Sequence, residues 1–124
     1  MIWLYIAVGG AAGAMARYGL TGLVQDRAGF QFPWGTFLVN IVGSALIGTA
    51  LRYLEATPTT PEVRALVTIG LLGAFTTFST FSYETVGLLE RGAFASAASY
   101  AVGSVLLGIV AVYAGMSVAG LIVQ

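Results

Sequence analysis

Four runs of apolar residues, Ile2–Val24, Trp34–Tyr53, Val63–Leu89 and Phe94–Val123, leave little room for anything between them. A helix needs about 20 predominantly apolar residues to cross the hydrocarbon of a bilayer. Four such spans with short connections nearly use up the 124 residues. Charged residues make up only 8% of the chain, against roughly 25% in soluble domains. The pattern predicts one all-α integral membrane domain over residues 1–124, with no soluble module. The first run has no basic leader and stays apolar past any expected cleavage point, so it reads as a retained helix rather than a removable signal. Cys and His are absent, which excludes thiol chemistry, haem ligation by His and the common Zn sites. No nucleophile–base pair or metal cluster points to an enzyme, and a net charge of zero gives no basic surface for nucleic acid.

The placement of charge is more informative than its sum. All five basic residues are Arg, at positions 17, 27, 52, 64 and 91. With four spans, Arg52 and Arg64 fall on the side of the termini, and Arg17, Arg27 and Arg91 on the other. Orientation follows the Lys/Arg bias of short loops, and three against two is hardly a bias. Such a chain is expected to insert both ways round. Two copies in opposite orientations can then pair about an axis in the membrane plane, like an inverted repeat made from one sequence.

In the first span Trp3 and Tyr5 suit an interfacial belt. Gly9 and Gly13 form a small-xxx-small pair that lets another backbone come close. Arg17 lies about 22 Å from Ile2 at 1.5 Å per residue. It can snorkel or pair near the boundary, or set a positive potential at a vestibule mouth. Pro33 is suited to start the second helix, because its missing N–H is not needed there. Asn40, the one Asn of the chain, falls in the middle of that span. Its amide offers two donors without a charge. An unpaired amide in hydrocarbon is costly, so it must face a helix, a cavity or a ligand.

The third span holds the most irregular stretch, Gly70-Leu-Leu-Gly-Ala-Phe-Thr-Thr-Phe-Ser-Thr-Phe-Ser82. Gly70 and Gly73 each weaken a helix by roughly 1 kcal/mol against Ala. Thr76 and Thr77 are β-branched, with hydroxyls that compete for backbone groups. The helix is therefore expected to unwind near Gly73–Thr77 and restart before Phe78. Unwound backbone at membrane depth survives only inside protein or beside a wet cavity, so the stretch is either a candidate site or a small-residue packing face. Phe78 and Phe81 share a helix face, while Ser79 and Thr80 turn to others. Glu84 follows one turn later, close enough to the end to reach water. The Phe pair suits a core, and the positive edges of its rings can also face an anion. Tyr100, Ser104 and Gly108 of the last span form one stripe, two hydroxyls and then no side chain, which can glue helices or line a polar track.

Thr36-Phe-Leu-Val-Asn-Ile-Val-Gly43, Gly73-Ala-Phe-Thr-Thr-Phe-Ser-Thr-Phe81 and Gly9–Tyr18, with the four-span length, resemble the Fluc/CrcB fluoride channels. The resemblance covers nearly the whole chain. It implies an antiparallel, dual-topology homodimer in the inner membrane of a bacterial cell, with two pores that let F⁻ out and so relieve fluoride toxicity. It further implies that Asn40 is the pore amide donor and that Phe78 and Phe81 meet fluoride with their ring edges. By the same resemblance the backbone carbonyls of Gly73 and Thr76, two from each subunit, hold a central Na⁺ at the helix break. Ser79, Thr80, Tyr100 and Ser104 would offer hydroxyls, and Arg17 and Glu84 would border the vestibule. Gly108 stands where some members have a further Ser.

The chemistry of the ion agrees. Fluoride is small and strongly hydrated, so a pore has to replace water with donors and exclude larger chloride by width. Neutral donors bind without trapping, as conduction requires, and hard Na⁺ suits carbonyl oxygens. A small multidrug transporter has similar size but needs a carboxylate in its first span, and none is present here. A non-transporting accessory subunit held together by Gly faces is the other reading. It accounts for the glycines but not for Asn40, the break and the Phe pair together.

Overall fold

The computed structural model describes residues 1–124 as an all-helical bundle with no strands. Helix α1 spans Ile2–Ala28 and α2 spans Trp34–Ala56. A third rod begins as α3 (Pro61–Arg64), continues as a π-helical segment (Ala65–Leu71) and closes with α4 (Leu72–Phe75). It breaks at Thr76–Thr77 and resumes as α5 (Phe78–Glu90), and α6 (Phe94–Ile122) completes the bundle. These bounds follow the apolar runs to within a few residues. The break is narrower than the expected Gly73–Thr77: Gly73 stays helical in α4, and only the β-branched Thr76 (φ −89°, ψ 158°) and Thr77 (φ −150°, ψ 119°) leave the helix.

Local chemistry accounts for the ends. Thr60 caps α3, its Oγ1 accepting from the Val63 amide at 3.3 Å, with Pro61 in the first turn. Gly92, at φ +73°, closes α5: its amide donates to Leu89 O and the next amide, of Ala93, to Leu88 O. That is a Schellman arrangement, and it needs a residue free to adopt positive φ. Gln25 organises the first turn of the chain. Its side-chain amide donates to the carbonyls of Gly29 and Phe32, and its Oε1 accepts from the Gly35 amide at 3.1 Å, which caps α2 in place of Pro33.

Glycines set the closest helix contacts. A Cβ on Gly9 or Gly13 would run into the carbonyls of Leu66 or Leu71, so α1 lies against the π-helical segment backbone to backbone. Gly48 and Gly115 do the same between α2 and α6. The small-xxx-small pair of the first span is thus occupied within the chain.

Only 17 of 124 residues are buried, and Leu106, Ile109 and Val110 of α6 point outward. That surface suits lipid or a partner rather than water. The rods Trp34–Ala56, Pro61–Glu90 and Phe94–Ile122 are each long and apolar enough to cross a membrane. Helix α1 is as long, but its glycines, Arg17 and its polar last turn dilute its hydropathy, and it is not among them. Four spans were expected on sequence grounds; three satisfy this measure.

Candidate functional site

The break is held from outside by one side chain. Asn40 Nδ2 donates to Thr77 O at 3.0 Å, and the Thr77 amide donates to Asn40 Oδ1 at 2.8 Å. This reciprocal pair fixes which amide atom is which, because only Oδ1 can accept from a backbone N–H. It also uses one of the two Asn40 donor protons, leaving one for other partners. Thr77 then caps the resumed helix: its Oγ1 accepts from the Thr80 amide at 3.3 Å and donates to Thr80 Oγ1 at 3.0 Å.

These bonds have a consequence for the carbonyls. In a continuous helix the Thr77 amide would donate to Gly73 O and the Thr80 amide to Thr76 O. Here the first goes to Asn40 and the second to Thr77 Oγ1, so Gly73 O and Thr76 O lose those partners. Arg17 takes the carbonyl between them in sequence, its Nε donating to Ala74 O at 3.0 Å. Arg17 therefore pairs with the end of α4. Gly43 brings α2 against the break, where a Cβ would collide with Thr76 Cγ2.

Asn40, Gly73, Thr76, Phe78, Phe81 and Ser104 all line one open cleft of about 370 Å³, together with Ser44, Thr68 and Thr77. No charged side chain lines it. Phe78 and Phe81 stand 5.8 Å apart between ring centroids, and Phe78 is 78% exposed, a large apolar ring left open at the cleft. Phe81 packs edge-on with Tyr100 at 5.0 Å and 61°. Tyr100 is completely buried among Phe32, Phe37, Phe81 and Leu88. The hydroxyls of Tyr100 and Ser104 are buried and make no hydrogen bond of good geometry, although that of Tyr100 lies beside Thr36 and Glu84. A buried hydroxyl in that state is costly, and such groups are few in native proteins.

Tyr100 lines none of the clefts and meets the first only through the ring of Phe81, and the remaining expected site residues lie apart from this cleft. Thr80 and Glu84 line a second one with Thr36 and Arg91, and Glu84 Oε1 accepts from Thr36 Oγ1 at 2.6 Å. Glu84 is half-buried and hydrogen-bonded rather than simply reaching water. Arg17 lines a third cleft with Thr80 and with Thr77, which also lines the first. Ser79 is exposed and lines none of the three. Sequence reasoning missed Ser44 and Thr68 in the first cleft and Thr36 in the second. Ser44 sits one helical turn after Asn40, the one signal that would have pointed to it.

An apolar-surfaced helical bundle, with an interrupted third rod and a cleft free of charged side chains at the interruption, defines a multi-pass membrane protein. Residues 4–116 match the family described as CrcB-like protein, Camphor Resistance (CrcB). A curated relative from Thermus thermophilus, named fluoride-specific ion channel FluC, is 45% identical over 121 residues, covering 98% of this chain and 97% of its own. Relatives with the same name from Geobacter sulfurreducens and Acidobacterium capsulatum are 51% and 44% identical, covering 94% and 99% of this chain and the same shares of their own. The chain belongs to the CrcB-like family, whose curated relatives are channels and not enzymes.

Proposed function

We propose that this chain forms a fluoride channel, which lets F⁻ leave the cell passively through the inner membrane of a bacterium and so relieves fluoride toxicity. The observation that carries the reading is the uncharged cleft at the helix break, where Asn40, Ser104, Phe78 and Phe81 converge. The name of its relatives, fluoride-specific ion channel, gives the reading its ion.

The residues act by replacing water. Asn40 keeps one N–H after bonding Thr77, and the unpartnered hydroxyls of Tyr100 and Ser104 can turn their protons to an anion. Phe78 and Phe81 offer ring edges, whose partial positive charge attracts an anion and holds it weakly. In this proposal Thr80 adds a hydroxyl at the start of α5 in the second cleft, and Ser79 adds an exposed one beside it. With no fixed cation in the cleft, nothing traps the ion, and a narrow path excludes larger chloride.

In this proposal α1 is the fourth span, and the working unit is a homodimer of oppositely oriented copies. The Gly73 and Thr76 carbonyls suit a hard monovalent cation, since the break deprives both of their helical partners. Na⁺ bound there would offset the repulsion between carbonyls and raise the local potential for anions. Exchanging Na⁺ for a large organic cation during purification should lower flux, and flux indifferent to the cation would remove it from the proposal.

The test of transport is anion release from liposomes that hold only the purified chain. Fluoride should leave and chloride should stay. Equal leakage of both, or no fluoride release from well-reconstituted protein, would reject the channel reading.

A further inference from the structure

We infer that Ser44 is a further residue of the anion pathway, a hydroxyl from α2 that continues the donor row where the α6 stripe runs out at Gly108; the inference rests on the channel reading above. Tyr100 and Ser104 carry their buried, unpartnered hydroxyls at a four-residue step along α6. The next position, Gly108, has no side chain to offer. Ser44 stands across the α2–α6 contact at that level: a Cβ at Gly108 would lie 3.6 Å from Ser44 Oγ. Ser44 also lines the same cleft as Asn40 and Ser104.

Its present hydrogen bond does not commit it. Ser44 Oγ donates to Asn40 O at 2.7 Å, the i−4 back-bond common for Ser in apolar helices. Asn40 O lies inside the regular run of α2, so it keeps a helical partner when the hydroxyl turns away. Ser82, Ser99 and Ser117 make the same back-bond, and for them it is simply how a hydroxyl is satisfied. Ser99 and Ser117 face outward on α6. Ser44 instead faces a cleft that it shares with the buried, unpartnered hydroxyl of Ser104, opposite a position that lacks one. Reorienting one O–H gives an anion leaving Ser104 a donor on the neighbouring helix.

The test moves the hydroxyl from one helix to the other. Fluoride release is measured by electrode from liposomes holding the full chain, with dimer elution as the check on folding. Ala is a better helix former than Ser, so Ser44→Ala should fold as the parent does. Its fluoride release should fall about tenfold, the loss of one hydrogen bond to a charged group. Adding Gly108→Ser to Ser44→Ala should bring release back to within about threefold of the parent, because a donor again stands at that level. Adding Gly108→Ala instead fills the same space without a hydroxyl and should not restore it. Parental release from Ser44→Ala would overturn the inference, as would equal rescue by Gly108→Ala and Gly108→Ser, or no rescue by Gly108→Ser in folded protein. A parent chain that releases no fluoride would instead remove the channel reading, and this inference with it.

Discussion

Replacing Asn40 by Asp exchanges one NH₂ for an oxygen and keeps the shape of the side chain. The Thr77 amide, 2.8 Å from Oδ1, still has its acceptor. The other contact changes sign: an oxygen without a proton now faces Thr77 O, where Nδ2 had donated at 3.0 Å. Leaving that carbonyl unsatisfied costs about 1–3 kcal/mol. The effect on an anion in the cleft is larger. A carboxylate at about 4 Å repels a unit negative charge by about 4 kcal/mol at an effective dielectric of about 20. That lowers fluoride occupancy by a factor approaching about a thousand, at about 1.4 kcal/mol per decade. The two effects can be read separately, the first as a fall in thermal stability and the second as fluoride flux per folded protein. Protonation restores a donor and removes the charge, so flux through Asn40→Asp should rise as pH falls. The parent chain and empty liposomes, run alongside, correct for leakage of HF. If Asn40 only clamps the break, Asn40→Asp lowers stability and leaves flux per folded protein near the parent value. That result would refute the pathway assignment.

Phe81→Ile keeps an apolar filler but removes the ring that meets Tyr100 at 5.0 Å; flux should be largely lost with the protein still folded, and normal flux would place the rings outside the path. Gly43→Ala drives a methyl into Thr76 Cγ2, which should destabilise the protein by about 1–3 kcal/mol in thermal unfolding; an unchanged midpoint would contradict the tight seating of α2 on the break. A cysteine placed at Gln124 should be labelled from both sides of intact cells, given the three-to-two division of the five Arg residues. Labelling from one side only would rule out the dual-topology dimer.

The broken third rod was legible because its cause is local. Gly73, Thr76 and Thr77 weaken a helix through their own backbone freedom and hydroxyls, and the interruption falls on Thr76–Thr77. Asn40 stood out because a lone amide at membrane depth needs a partner. The identity of that partner was not legible: Thr77 lies 37 residues away, and the bond is to its backbone. The same holds for Arg17, whose partner Ala74 is 57 residues distant and offers only a carbonyl. Any residue type can present a carbonyl, so no side-chain pattern announces it. Gly9 and Gly13 showed that some backbone would come close, but not that it would be the Leu66–Leu71 stretch. The π-helical winding of Ala65–Leu71 left no trace, since nothing in Ala-Leu-Val-Thr-Ile-Gly-Leu separates it from an ordinary apolar helix. The stripe of Tyr100 and Ser104 was visible as spacing, but only packing shows that both hydroxyls are buried and unpaired.

Passive, fluoride-selective conduction is tested most directly by the reversal potential of the reconstituted chain in a planar bilayer, with F⁻ on one side and Cl⁻ on the other. The account predicts a current that reverses close to the fluoride equilibrium potential and is unmoved by changing the chloride concentration. A reversal that tracks chloride as strongly as fluoride, or a silent bilayer with well-folded protein, would contradict it.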